Sequence, residues 1–317
     1  MALSSKIEFV PGIQTPNVKW SETENTWSSN SYLVLEGRTL YLVDTGLGSL
    51  HRAELLKAVS RFSKADSVYL LNTHWHLDHS GNGTIVKELQ GKFPEVHYLI
   101  PETAKGDMER FMERSNTSLV DMGLEQAEWL SDGRELAFSG VTFSGWKLGG
   151  VFLLSTPGHS PDSLSIYMAD EKAIFTGDLL WYVNPNGEKG SIQALLQSIA
   201  RIKSLVVEEG IEYLGQGHFQ PISGRQHILD YISQYEESEK ALVRWLEGVV
   251  EGDSVTVDYL LERLRESDHP AIVEALRINY PYYPSYLHRF IRVFLREKGW
   301  SEVDKEGGGT WSPKAPG

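Results

Sequence analysis

Three histidines and an aspartate fall within six consecutive positions, His74-Trp75-His76-Leu77-Asp78-His79. Two histidines two positions apart in an extended segment can point at one cation. Asp78 and His79 follow where the backbone turns and can reach a second. Neutral imidazole and carboxylate are ligands for Zn²⁺, and also for Mn²⁺ and Fe²⁺. The chain has no cysteine, so disulfides and thiolate ligands are both excluded, and any metal must be held by His and carboxylate. A solvated polar turn is the competing reading. This density of ligand types, straight after a short apolar strand, argues against it.

The elements that must position this run are legible as alternating short strands and helices. Ser31 to Glu36 and Thr39 to Val43, joined by a Gly37-Arg38 turn, predict a hairpin. Asp44-Thr-Gly-Leu-Gly48 ends its second strand in a glycine-rich loop, and His51 to Phe62 has helical spacing. Ser67 to Leu71 is a buried-type strand running directly into the histidine run, followed by a helix over Gly83 to Leu89 and a strand over Val96 to Ile100. Residues 103–135 carry charges, Met108 and Met112, and no strand pattern, and are expected to be a helical insertion. Strands resume at Leu136, Val141 to Trp146, Val151 to Leu154, Ser163 to Met168 and Ala173 to Phe175. A helix bearing Leu195, Leu196, Ile199 and Ile202 precedes a strand at Ile211 to Leu214. Such a mixture predicts helices packed outside layered sheets.

After Pro221 the pattern is helical: Gln226 to Val250, Val257 to Leu264, Ala271 to Leu276 and Ser285 to Lys298. Gly299 to Val303 and Gly309 to Trp311 could then form a small hairpin, which gives a winged-helix-like arrangement. The expected division is residues 1–222 as the catalytic domain and residues 223–317 as the helical module.

The run Thr73 to Asn82 resembles the HxHxDH signature of the metallo-β-lactamase fold superfamily, and further loops match it in order. Ser155-Thr-Pro-Gly-His-Ser160 is similar to the next ligand loop, Phe175-Thr-Gly-Asp-Leu179 to the bridging-carboxylate loop, and Gly215-Gln-Gly-His-Phe219 to the last ligand loop. Upstream, Leu42-Val-Asp-Thr-Gly46 matches the family's strand ending in Asp-Thr-Gly. The resemblance spans roughly residues 28 to 222 and implies a four-layered αββα sandwich. It also implies two divalent metal ions, Zn first and Fe or Mn as alternatives. His74, His76 and His159 would hold the first ion; Asp78, His79 and His218 the second; and Asp178 would bridge. Asp44 would accept a hydrogen bond from a ligand and fix it. His51, His97, His227, His269 and His288 lack this context and read as surface or packed residues.

Two cations sharing a water give hydroxide near neutral pH, which attacks a carbonyl or phosphorus. Asp78 is the catalytic candidate, orienting the nucleophile and later shuttling a proton. The expected function is therefore binuclear metal-dependent hydrolysis of an ester-type bond in a small molecule: carboxylic ester, lactone or phosphoester. Ribonuclease and thioesterase activity are the alternatives within the superfamily. A signalling or binding protein with low turnover is the alternative from another class. Trp181, Tyr182 and Phe219 flank the ligand loops and are the substrate-pocket candidates, with Tyr182 a possible oxyanion donor. The segment 103–135 could cap the pocket.

Composition sets the outer bounds. The 317 residues are 41% hydrophobic and 23% charged, which permits a sizeable core. A formal charge of −13 disfavours non-specific nucleic-acid binding. His288, Arg289, Arg292 and Arg296 form a basic helical stripe, which reads first as a solvated face. No apolar run approaches the roughly 20 residues of a membrane helix. Met1 to Phe9 lacks signal-peptide character, so a cytoplasmic location is expected.

Overall fold

The computed structural model describes residues 7–12, 28–115, 122–181, 184–185, 189–252, 254–270, 272–273, 284–304 and 309–313. The chain divides into two compact units. The first comprises Met1–Ser155, Asp162–Asp178 and Leu205–Ile228; the second comprises Thr156–Pro161, Leu179–Ser204 and Leu229–Gly317.

The first unit holds two sheets. One has β1 (Ile7–Val10), β2 (Ser31–Glu36), β3 (Thr39–Val43), β4 (Ser67–Leu71), β5 (Glu95–Pro101) and β6 (Glu128–Leu130) in sequence order. β1, β2 and β3 pair antiparallel, whereas β3 to β6 are parallel. Parallel strands need long crossovers, and α1 (Ser49–Ser60) and α3 (Ile85–Gln90) supply them. The pleat sends alternate residues to opposite faces. Tyr41, Val43, Tyr69, Leu71 and Leu99 go one way; Leu40, Leu42, Val68, Leu70, Tyr98 and Ile100 go the other. Both faces are buried, which is why these strands read as nearly continuous apolar runs. On the helical face the core continues through Leu55 and Val59 of α1 and Ile85, Val86 and Leu89 of α3.

The second sheet has the order β13-β12-β11-β10-β9-β8-β7. Its strands are β7 (Arg134–Phe138), β8 (Val141–Leu148), β9 (Val151–Ser155), β10 (Leu164–Met168), β11 (Ala173–Phe175), β12 (Tyr213–Gly215) and β13 (Ile222–Ser223). Only β11 and β12 are parallel neighbours in it. Leu153, Leu164, Ile166, Met168, Ala173 and Phe175 meet Tyr32, Val34, Tyr41 and Val43 of the first sheet in one shared core. The opposite face carries Tyr167, whose hydroxyl donates to Glu209 at the end of α5 (Ile192–Glu209), 3.3 Å away. Helix, sheet, sheet and helix therefore stack as the expected four-layered sandwich.

Residues 103–135 differ from expectation. A helix, α4 (Lys105–Ser115), is present, but β6 lies in the same stretch and extends the parallel sheet through pairs such as Ile100 with Trp129. Three residues on a sheet edge are too few to show a period, so pattern alone misses them.

In the second unit, α6 (Arg225–Val249) leads to β14 (Val255–Thr256), α7 (Val257–Arg265), α8 (Pro284–Glu297), β15 (Trp300–Asp304) and β16 (Thr310–Pro313). The Thr256 hydroxyl caps α7 by accepting from Tyr259 N at 3.2 Å. β16 pairs antiparallel with both β14 and β15, so the expected hairpin gains a third strand. Leu242, Leu246, Leu260, Leu264, Ile291, Leu295, Trp300 and Trp311 form this unit's core. The helix expected over Ala271 to Leu276 falls mostly outside the described residues.

Candidate metal centre

The ligand-type side chains collect where strands end. β3 ends into Asp44, β4 into Thr73 to His79, β11 into Asp178 and β12 into His218. β3 and β4 are parallel, as are β11 and β12, so within each sheet these ends share an edge. Ligand sites of parallel sheets form there because the loops leaving the carboxyl ends are free to carry function.

Short backbone bonds tie the loops together. Thr45 and Gly46 both donate to the carbonyl of His79, Ser29 donates to that of Asp78 at 2.9 Å, and Asn30 to that of Gly217 at 2.7 Å. The Asn30 amide group also donates to the carbonyls of Gln216 and Phe219, at 2.9 and 2.7 Å, holding the last loop. Asp78 and His79 lie on α2 (Leu77–Ser80), a single turn that begins immediately after His76.

Asp78, His79, Asp178 and His218 each offer a ligand atom, and the four atoms lie within 4.8 Å of one another. His79 Nε2 is 3.2 Å from Asp178 Oδ1, and His218 Nε2 is 3.2 Å from Asp78 Oδ2 and 3.4 Å from Asp178 Oδ2. The side chains of His79, His218 and Asp178 are almost wholly buried, whereas Asp78 keeps 19% exposure, so Asp78 is the member open to solvent. His74 Nε2 and His76 Nδ1 face each other at 2.9 Å.

Electrostatics favours a cation among these groups. Burial opposes ionisation of Asp178, but His218 and His79 overcome it and hold the carboxyl well below the usual range. Asp78 is likewise held low against burial by His79 and His218. Burial would lower His79, yet Asp178, Asp44 and Asp78 drive it well above 6.5, and Asp178 with Asp78 pushes His218 up to about 9. Two buried carboxylates thus demand positive charge from their surroundings. Gly217 leaves the space that such a cation needs beside its ligands: a Cβ there would stand 2.2 Å from Asp178 Oδ1 and 2.7 Å from His79 Cε1. Hard oxygen and borderline nitrogen donors in this mixture fit divalent Zn, Fe or Mn.

Asp44 sits behind the cluster with φ of 57°, a left-handed conformation that Asp tolerates better than most residues. Its Oδ2 accepts from His79 Nδ1 at 2.8 Å, which leaves Nε2 as the ligand atom. Thr73, which sequence reasoning missed, fixes Asp44: its backbone N–H donates to Oδ1 at 2.7 Å and its hydroxyl to Oδ2 at 2.9 Å. Asp162, also missed, accepts from Trp75 N at 2.8 Å and holds the extended His74–His76 segment. Both are polar residues at strand ends, which pattern alone does not distinguish from turn residues.

His159 belongs to the second unit, in the loop leaving β9, and its Nδ1 lies 2.6 Å from Asn184 Oδ1. Trp181 is buried in that unit, and its carbonyl accepts from Asn184 and Tyr235. Tyr182 falls outside the described residues. Phe219 is 37% exposed. Trp75 touches Phe111 of α4, with ring centroids 5.5 Å apart.

The remaining histidines stand apart. His51 is buried against the Ser31 hydroxyl at 2.8 Å, and burial lowers it to about 4, so it stays neutral. His97 stacks on Tyr69 beside Glu128, His227 faces the Ser223 carbonyl, and His288 is 4.0 Å from Asp258.

A profile of the metallo-beta-lactamase superfamily matches residues 25–218. The Beta-lactamase-like protein 2 homolog of Caenorhabditis elegans is 30% identical over 154 residues, covering 48% of this chain and 44% of that protein. An atrochrysone carboxyl ACP thioesterase of Aspergillus fumigatus is 29% identical over 222 residues, 70% of this chain and 60% of its own length. The chain spans about half the length of these curated relatives. Among solved structures, a metallo-beta-lactamase family protein from Thermus thermophilus aligns over 99% of this chain and 100% of its own, with TM-score 0.53 and 18% identity. That likeness concerns the fold alone.

Proposed function

We propose that the chain, which belongs to the metallo-beta-lactamase superfamily, is a hydrolase that uses two divalent metal ions to cleave an ester-type bond in a small molecule. The observation that carries this reading is the convergence of Asp78, His79, Asp178 and His218, two carboxylates against two imidazoles with space kept by Gly217. In this proposal Asp178 bridges the ions, Asp78, His79 and His218 hold one, and His74, His76 and His159 hold the other. Zn is the first candidate on ligand type, with Fe and Mn next.

When bound, the ions supply an acidified water and polarise the attacked oxygen. The chain's own residues do the rest. Asp44 and Thr73 keep His79 in one tautomer and one orientation. Asp78, the solvent-facing carboxylate, accepts the proton of the attacking water at Oδ and returns it to the leaving group. Trp181, Tyr182 and Phe219 remain the proposed substrate-facing residues.

Carboxylic ester, lactone and phosphoester all fit this chemistry. Thioester cleavage is the second reading, favoured by the thioesterase name of the Aspergillus fumigatus relative. The ribonuclease reading has weaker support, because Arg292 pairs with Glu302 at 3.4 Å and Arg296 donates to the Gly190 carbonyl at 2.9 Å. Elemental analysis of the purified protein should give two divalent ions per chain. A panel of aryl esters, lactones, thioesters, phosphoesters and a short RNA assigns the bond. Turnover that survives both chelation and His76→Ala would refute the metal mechanism, and metal binding without turnover on any substrate would favour a binding protein.

A further inference from the structure

Within the second unit, three side chains, Tyr235, Asn184 and His159, form a buried hydrogen-bonded line from α6 to His159. Asn184 is 4% exposed. The two hydrogens of its Nδ2 are shared among three acceptors, the carbonyls of Leu179 and Trp181 at 3.0 and 2.9 Å and the Tyr235 hydroxyl at 3.0 Å. Two of these acceptors are carbonyl oxygens, which fixes the nitrogen end of the amide. Oδ1 is therefore the atom that faces His159 Nδ1 at 2.6 Å. An amide oxygen only accepts, so Nδ1 carries the proton and Nε2 the lone pair, the form required of a metal ligand.

Tyr235 has one proton, and it goes to the Trp181 carbonyl at 2.8 Å. Its oxygen then accepts from Asn184.

We propose that Asn184 and Tyr235 are positioning residues that lock His159 in the Nδ1–H tautomer and so present its Nε2 to a metal ion. This rests on the reading of His159 as a ligand. Removing Asn184 frees the ring to rotate and to exchange tautomers, weakening one ion and leaving the other. Removing the Tyr235 hydroxyl loosens the same amide from one step further away.

The test combines histidine ¹⁵N NMR on the metal-free protein with chelator competition on the loaded protein. The His159 signals are assigned by their loss in His159→Ala. In the wild type His159 should be the Nδ1–H tautomer. Asn184→Leu should mix the tautomers and weaken one of two ions by about 10–100-fold, with the other ion little changed, and should lower the melting temperature because the Leu179 and Trp181 carbonyls lose a buried donor. Tyr235→Phe should weaken the same ion less. If His159→Ala loses an ion while Asn184→Leu keeps both at wild-type affinity, the relay is wrong and the ligand assignment stands. If His159→Ala itself keeps both ions, the ligand assignment fails and the relay with it. Should Asn184→Leu not fold, an Nε2–H tautomer in the wild type, or a wild-type affinity in Tyr235→Phe, overturns the proposal.

Discussion

Replacing Glu239 by Gln should stabilise the protein at neutral pH and flatten its alkaline stability profile. The carboxyl is buried on α6 and hydrogen-bonded to Tyr235, and its neighbour Glu236 rather than Glu239 takes the Lys203 and Lys240 ammonium groups. Burial therefore raises Glu239 from 4.5 to about 8. A carboxyl raised on folding binds its proton more tightly in the folded state than in the unfolded one. Its favourable contribution is complete below pH 4.5 and is lost as pH rises toward 8. At about 1.4 kcal/mol per pH unit, the loss amounts to about 3 kcal/mol by pH 7 and about 5 kcal/mol over the whole window. Gln has the size of the protonated acid and does not titrate. The two proteins should be nearly equal near pH 4.5, and the variant should gain steadily above it. Urea unfolding of both metal-loaded proteins at several pH values between 4.5 and 8.5 measures this. Proton release on metal binding is common to both and cancels in the difference. A difference that stays constant across that range would mean that Glu239 is already ionised in the fold, and the burial argument would be wrong.

Gly217→Ala should abolish binding at the Asp78–His79–Asp178–His218 cluster while leaving secondary structure intact, because its Cβ would stand 2.2 Å from Asp178 Oδ1; metal content and circular dichroism decide, and full occupancy in the variant would show that the loop can yield. In the metal-free protein, His218 is raised to about 9 from 6.5. That contribution is complete below pH 6.5 and is lost as pH rises through 9, about 3 kcal/mol in all. Chelated protein should thus weaken over this window, and metal uptake should release protons there; a flat profile together with proton-free loading contradicts both. Thr73→Val removes the hydroxyl that donates to Asp44, leaving a buried carboxylate short of a donor at a cost of about 1–3 kcal/mol. Metal affinity should fall about tenfold with it, and chelator titration showing no loss would mean that the Thr73 backbone N–H alone holds Asp44.

The parts of this molecule that were legible in its sequence are those that repeat at a short period or stand at a strand end. Tyr32, Val34, Tyr41 and Val43 alternate with Leu33, Leu35, Leu40 and Leu42, so β2 and β3 could be read before any packing was known. The ligand candidates were legible because each follows the last residue of such a strand. β1 and β6 were not, since one pairs with a partner more than twenty residues away and the other is three residues long. The polar groups that hold the ligands in place obey no period at all. Asn184 reaches His159 across 25 residues and Tyr235 across 51, and only the folded chain brings them together. One signal for them does exist in the sequence. Ile228, Ile232, Tyr235, Leu242 and Leu246 set a helical stripe, and Glu239 occupies the position within it where an apolar residue belongs. A carboxyl there costs desolvation that an aliphatic side chain would not. That cost marks a buried polar group more sharply than any exposed charge on the same helix, and here it stands one turn from Tyr235, the residue of α6 that meets Asn184.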